Sequence, residues 1–86
     1  MVSSNPVIAA LREQSELFRN EVNVQALRRM ARGESAADAI EYATAALMKK
    51  MLHGPSVSLR KAGADSNEDL IDAARALFSL DTDEPR

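Results

Sequence analysis

The stretch "ESAADAIEYATAALMKKMLHGP", residues 34–55, decides the fold class of this chain. Ser35 is a good helix N-cap, and Asp38 suits the partial positive charge at a helix N-terminus. We predict a helix over residues 36–53 that is ended by the Gly54–Pro55 pair. Apolar side chains occupy most of its circumference and leave only a narrow charged strip. Such a helix has to be covered on two sides, so we expect a second copy or another protein to cover one of them.

A long helix is predicted before this stretch. Asn5 is a good N-cap. Pro6 does not destabilise the helix at its first position, because the backbone N–H that proline lacks would have no intrahelical acceptor there. Gly33 supplies the C-terminal stop. The apolar positions recur at spacings slightly longer than one turn, so the apolar stripe drifts around the helix. The drift predicts either a gradual change of partner along the helix or a break near Asn20 and Asn23.

Two further helices are predicted after Pro55. The first is short, carries Leu59 inward and ends at Gly63. The second begins with Ser66 or Asn67 as its cap and has the clearest amphipathic pattern in the chain. No segment shows a strand pattern, an internal repeat or a glycine-rich phosphate loop. We therefore predict an all-α fold, a small bundle of three main helices plus one short helix, associating as a symmetric homodimer.

The amino-acid composition of the chain argues against several classes of function. A chain of 86 residues has room for one domain, and its net charge of −2 argues against a nucleic-acid surface built on bulk positive charge. The absence of cysteine excludes disulfides, thiolate metal sites and a cysteine nucleophile. No apolar run has the length of a membrane span, and the first residues do not resemble a signal peptide. We expect a cytoplasmic protein.

The histidine and its neighbours are interpreted as helix capping. Lys49, Lys50 and His53 fall in the last turn of the predicted second helix, where cations oppose the partial negative charge of free carbonyls. His53 has no second histidine and no cysteine with which to share a metal. The carboxylates lie on polar faces or in first turns, and no pair suggests a buried acid and base. We therefore assign no catalytic, cofactor-binding or metal-ligating residue.

The central run resembles a known family. In glutamyl-tRNA reductases, the C-terminal dimerisation domain carries a run like N-K-L-L-H-x-P-[ST]-x-x-L-[RK]. The matching residues here are Lys50, Met51, Leu52, His53, Pro55, Ser56, Leu59 and Arg60, with Met51 replacing a leucine and Lys49 standing where the family usually has asparagine. "PVIAALREQSELFRNEV" is similar to the far end of the family's spinal helix, and the fitting residues are Pro6, Ile8, Leu11, Arg12, Glu16, Arg19 and Glu21.

The resemblance implies a mechanical role. The complete enzyme of that family reduces glutamate carried on its tRNA to glutamate-1-semialdehyde with NADPH, in tetrapyrrole biosynthesis. A catalytic domain with a cysteine nucleophile and an NADPH-binding domain would precede this segment, so this chain by itself is expected to be scaffold rather than enzyme and to hold no cofactor. Its partner would be a second copy, and the parent enzyme would bind glutamyl-tRNA. Met1 fits either the start of a domain excised from the complete enzyme or the start of a natural truncated homologue. The sequence begins midway along the expected spinal helix, which favours an excised domain.

The expected organisation follows from these assignments. Residues 1–5 would be a flexible N-terminus, 6–32 the end of the spinal helix, 33–80 the dimerisation domain and 81–86 a disordered tail. The residues expected in the dimer interface or core are Val7, Leu11, Phe18, Ile40, Ala43, Leu47, Met51, Leu52, Leu70, Ile71, Ala74, Leu77 and Phe78.

Three alternatives stay open at this point. The first is a free-standing helical adaptor that binds a partner helix. The second is a weak tRNA-contacting module that uses Arg28, Arg29, Arg32, Lys49, Lys50 and Arg60. The third, a helix-turn-helix, is disfavoured by its short second helix and by the acidic charge balance.

Overall fold

The computed structural model describes residues 1–82 and contains three helices within them. They are α1 (Asn5–Ala31), α2 (Ala36–Ala64) and α3 (Glu68–Leu77), and the described residues include no strand. The all-α prediction is therefore confirmed. The chain divides into two compact units, of which the first is Met1–Leu52 and the second begins at His53. The predicted tail begins with Asp81 and Thr82, which have no regular structure, and its other residues lie outside the described part.

Helix α1 begins one residue earlier than predicted. Ser4 is its N-cap, without a side-chain hydrogen bond, so Asn5 lies inside the helix instead of capping it. The helix runs unbroken past the weak helix formers Asn20 and Asn23. Val22 between them is buried, and this packing stabilises the helical conformation of the segment. Gly33 follows the helix with a φ of +99°, the left-handed conformation that glycine adopts without strain.

Helix α2 is longer than predicted. As expected, the Ser35 hydroxyl accepts a hydrogen bond from the backbone N–H of Asp38 at 3.1 Å. The helix does not end at Gly54, however, and continues with Pro55 inside it to Ala64. The predicted short helix is thus the final part of α2, and Gly63 lies within it rather than stopping it.

Two features explain why the Gly54–Pro55 pair does not end α2. Proline removes one intrahelical hydrogen bond, the one that residue 55 would donate to the Met51 carbonyl. Proline also clashes with the Cβ of the residue before it, but Gly54 has no Cβ. Farther along, Ala62 is buried, so packing of the last turns offsets the local cost.

Helix α3 begins as predicted. The Asn67 side chain accepts a hydrogen bond from the backbone N–H of Leu70 at 3.2 Å, and Glu68 and Asp69 occupy the first turn. Between α2 and α3, Ser66 adopts a left-handed φ of 55°. The Asn67 N–H then donates to the Ala62 carbonyl at 2.8 Å and closes the end of α2.

The chain covers little of its own apolar surface. Among the described residues, only Val22, Ala39 and Ala62 are buried. Large apolar side chains stay exposed in both units, among them Ile40 at 63 % and Leu77 at 77 %.

Candidate functional site

Helices α1 and α2 pack antiparallel within the first unit. Tyr42 donates a hydrogen bond from its hydroxyl to the side-chain oxygen of Gln25. About two turns farther along α2, Lys50 Nζ lies 3.0 Å from Glu21 Oε2. Since Tyr42 precedes Lys50 while Gln25 follows Glu21, the two helices run in opposite directions. The α2 side chains turned toward α1 are buried or half-buried, and they are Ala39, Tyr42, Ala43, Ala46, Leu47 and Lys50.

Arg29 connects the end of α1 to the turn and to α2. Its Nη2 donates a hydrogen bond to Glu34 Oε1 at 3.0 Å, and its Nε lies 2.7 Å from Glu34 Oε2 as an ion-pair contact rather than an aligned hydrogen bond. The guanidinium carbon also lies 4.0 Å from the centre of the Tyr42 ring. The hydrogen bond to Glu34 raises the pKa of Arg29 above its usual value, so the cation is retained at any physiological pH.

The second face of α2 is apolar and uncovered. Ile40 is 63 % exposed, and Met48, Met51 and Leu52 are exposed on the same side of the helix. These four residues are called the outer face of α2 below; all four are uncharged, but the exposed Glu41 lies on the same side of the helix, between the rows of Met48 and Leu52. Methionine adapts its shape to irregular partners, and isoleucine and leucine gain from leaving water. The outer face therefore has the chemistry of a protein contact.

Other exposed apolar residues lie at the two ends of the chain. Near the start of α1, Val7 is 70 % exposed and Leu11 is 61 % exposed. In the second unit, Ile71 and Ala74 are half-buried, whereas Leu77 and Phe78 at the end of α3 are exposed. Each unit by itself therefore leaves large apolar side chains in contact with water.

The predicted interface residues fall into two groups. Those that this chain leaves exposed are Val7, Leu11, Ile40, Met51, Leu52, Leu70, Leu77 and Phe78. Those that it half-buries are Phe18, Ala43, Leu47, Ile71 and Ala74. The set omits Met48, which lies on the outer face of α2, because an apolar spacing of four along a helix does not say which side the neighbouring helix covers. It also omits Gln25 and Glu34, whose roles depend on contacts across the turn.

The capping role predicted for Lys49, Lys50 and His53 is wrong. These residues lie in the interior of α2, which continues to Ala64 and has Lys61 in its last turn. Apart from the Met51 carbonyl, whose donor Pro55 removes, carbonyls in the interior of a helix accept hydrogen bonds, so this stretch lacks the free carbonyls of a helix C-terminus. Lys50 pairs with Glu21 instead.

Two of the six basic residues considered for tRNA contact have acidic or aromatic partners within the chain. Arg29 is occupied by Glu34 and Tyr42, and Lys50 by Glu21. Arg28, Arg32, Lys49 and Arg60 are exposed. Among residues 1–82, no group of three or more His, Asp or Glu side chains converges in a way that could hold a metal ion. Nor is any helix in the described part of the chain both long and apolar enough to cross a membrane.

A comparison with known protein families gives a match over most of the chain. The family profile described as "Glutamyl-tRNAGlu reductase, dimerisation domain" matches residues 2–80. The chain belongs to this family. No solved structure matches the chain.

Curated relatives agree with the glutamyl-tRNA reductase dimerisation-domain family. The glutamyl-tRNA reductase of Pseudomonas fluorescens is 40 % identical over 74 residues, which are 86 % of this chain and 18 % of that protein. Those of Methylococcus capsulatus and Neisseria gonorrhoeae are each 36 % identical over 78 residues, which are 91 % of this chain and 19 % of the relative. The chain thus spans about a fifth of the length of these relatives.

Proposed function

We propose that this chain is a homodimerisation domain that joins two copies of a glutamyl-tRNA reductase. The uncovered apolar surface is the single observation that carries the proposal. Within the first unit alone, Ile40, Met48, Met51 and Leu52 are 45–63 % exposed. Obligate homodimers cover apolar surface of this kind with the same surface of a second copy, typically in interfaces of about 2,000–5,000 Å².

The outer face of α2 is the proposed centre of that interface. Symmetric dimers use the same patch on both subunits, so the patch has to fit itself. The outer face meets this requirement if Ile40, Met48, Met51 and Leu52, which are uncharged, form the centre of the contact and Glu41 on the same side of α2 stays at its rim. The half-buried Leu47 and Ala43 support the face from the side turned toward α1.

The catalytic activity of the parent enzyme is inferred from the relatives and not from residues of this chain. In this proposal the parent enzyme reduces glutamyl-tRNA with NADPH in the cytoplasm, and this chain holds two such enzymes together. The chain has no G-x-G-x-x-G phosphate loop, the motif of dinucleotide-binding domains, so the proposal places NADPH on the parent enzyme. We therefore derive no catalytic step from this chain, and contact between tRNA and its exposed arginines stays a prediction.

The experiment is a measurement of molar mass by light scattering across a dilution series from high micromolar to sub-micromolar concentration. We expect a mass of twice 9.4 kDa at the upper end. We also expect the thermal unfolding midpoint to rise with protein concentration, because association stabilises a subunit that has only a thin core. A helical monomer at every concentration would reject the proposal and favour an adaptor that binds a partner's helix.

A further inference from the structure

We infer that residues 51–55 of α2 form a hinge at which this helix bends and opens locally. This stretch is called the hinge segment below, and its sequence is Met-Leu-His-Gly-Pro. The hinge is a property of one helix and does not depend on the proposed homodimer. Three independent features of α2 support it, namely the backbone bonding of the segment, its exposure, and the sides on which the helix is covered before and after it.

The hinge segment lacks part of the backbone bonding of a regular α-helix. Pro55 lies inside α2 and has no N–H, so the Met51 carbonyl receives no hydrogen bond from the residue four positions farther along. Gly54, directly before the proline, is a weak helix former. Prolines and glycines inside helices are the usual causes of sharp bends. The backbone of α2 is therefore weakest in this segment.

The hinge segment is also the most exposed stretch of α2. All five of its residues are exposed, and no other run of exposed residues within α2 is as long. Five residues make about one and a half turns, so every side of the helix is open in this stretch. The missing hydrogen bond is therefore not offset by packing of the segment itself. Local opening costs less in such a stretch than in the covered turns of a helix.

The covered side of α2 changes across the hinge segment. Before it, Ala46 and Lys50 are half-buried and share one side of the helix. After it, Ser56 and Leu59 are half-buried and Ala62 is buried, and these three share another side. Lys50 and Leu59 are nine residues apart, or about two and a half turns, so the two covered sides are opposite. No single covered side therefore runs through the hinge segment and resists bending there.

The boundary between the two compact units falls at the same place. The first unit ends at Leu52 and the second begins at His53, and both residues belong to the hinge segment. Each unit is compact by itself, so α2 can bend at this boundary without loss of packing within either unit. The weak backbone, the exposure and the unit boundary thus coincide within five residues.

Hydrogen exchange of the backbone amides, followed by NMR, tests the local opening. We expect protection factors for His53, Gly54 and Ser56 that are about tenfold or more below those of Ala46 and Leu47, because the hinge segment opens without global unfolding. Equal protection factors in the two groups would overturn the hinge.

The matched variants are Pro55→Ala and Pro6→Ala. Pro55→Ala supplies the missing N–H and removes the proline ring, so it should raise the protection factors around the hinge segment about tenfold or more. Pro6→Ala makes the same change in the first turn of α1, where backbone N–H groups have no intrahelical acceptor, and should leave those protection factors within about twofold. No slowing of exchange by Pro55→Ala would contradict the inference.

A second measurement reports the bend itself. The chain has no cysteine, so pairs of introduced thiols can carry spin labels for double electron–electron resonance in an excess of unlabelled chain. Ala45 and Arg60 are exposed on either side of the hinge segment, and Glu13 and Arg28 are exposed at the same sequence separation in α1. We expect a broader distance distribution for the α2 pair, and Pro55→Ala should narrow it to that of the α1 pair. Equal widths before the substitution would reject the hinge.

The outcomes separate this inference from the proposed function. A dimer whose hinge segment is as protected as the rest of α2, with equally narrow distance distributions, would overturn the hinge and leave the homodimer intact. A chain that is monomeric at all concentrations but opens at the hinge segment would support the hinge and overturn the homodimer.

Discussion

The guanidinium carbon of Arg29 lies 4.0 Å from the centre of the Tyr42 ring, and this contact joins the end of α1 to the second turn of α2. The same guanidinium is held by Glu34 in the turn between the helices. The Arg29 side chain thus connects α1, the turn and α2. Arginine suits this position because its flat group stacks on an aromatic ring while its edge binds a carboxylate.

Arg29→Lys is expected to lower the urea midpoint of unfolding at fixed protein concentration. Lysine keeps the positive charge but loses both the planar stacking surface and the fork that faces Glu34. Arg28→Lys is the control, since Arg28 is exposed in the same turn of α1. Equal midpoints for the two variants would show that charge alone matters at position 29.

The glycines should respond to alanine in opposite directions. Gly63 lies inside α2 without a left-handed φ, and a Cβ there would meet no atom within 4 Å outside its two chain neighbours, Ala62 and Ala64. Gly63→Ala should therefore raise the free energy of unfolding by about 0.5–1 kcal/mol. Gly33 has a φ of +99°, and Gly33→Ala should lower this free energy by about 1–2 kcal/mol. Destabilisation by Gly63→Ala would mean that α2 ends before Gly63 or that a partner packs closely there.

The start of α3 depends on one side chain. Asn67→Ala should lower the free energy of unfolding by about 1 kcal/mol, because it leaves the Leu70 N–H without its side-chain acceptor. Asn67→Asp keeps an acceptor at the same place and should stay within about 0.5 kcal/mol of the parent chain. Chemical denaturation of all three proteins measures both differences, and equal losses for the two variants would contradict the capping role.

The outer face of α2 gives the sharpest test of self-association. Ile40→Glu should weaken the dimer about 100-fold or more, since a symmetric interface loses the isoleucine twice and gains two buried carboxylates. Lys49→Glu is the control because Lys49 is exposed and lies on the opposite side of α2 from Ile40. Its effect should stay below about threefold. Dissociation constants from sedimentation or light scattering decide between them, and a similar loss in both variants would place the interface elsewhere.

Local patterns predicted most of the helix boundaries. Gly33 ends the first helix region, Ser35 caps α2 and Asn67 caps α3, because each of these roles needs only the residue's own conformational preference or a hydrogen bond within one turn. The amphipathic pattern of α3 was equally clear. The run around His53 and Pro55 also identified the family without knowledge of the fold, since it depends on residue order alone.

Local patterns failed where packing outweighs propensity. A glycine followed by a proline normally predicts the end of a helix, yet α2 continues through Gly54 and Pro55. The cost is one lost hydrogen bond and a weak helix former, and the burial of Ala62 farther along offsets it. Misplacing that helix end also led to the wrong capping role for Lys49 and His53.

The sequence by itself determined that this protein is helical, where most of its helices begin, and which family it belongs to, because these properties reside in neighbouring residues. Only the tertiary structure decided that α2 is a single helix, that Arg29 meets Tyr42, and that Ile40 and Leu11 remain uncovered while Val22 and Ala39 do not. The physical reason is that apolar residues on different sides of a helix are chemically alike. Only the position of the neighbouring helix determines which of them lose their contact with water.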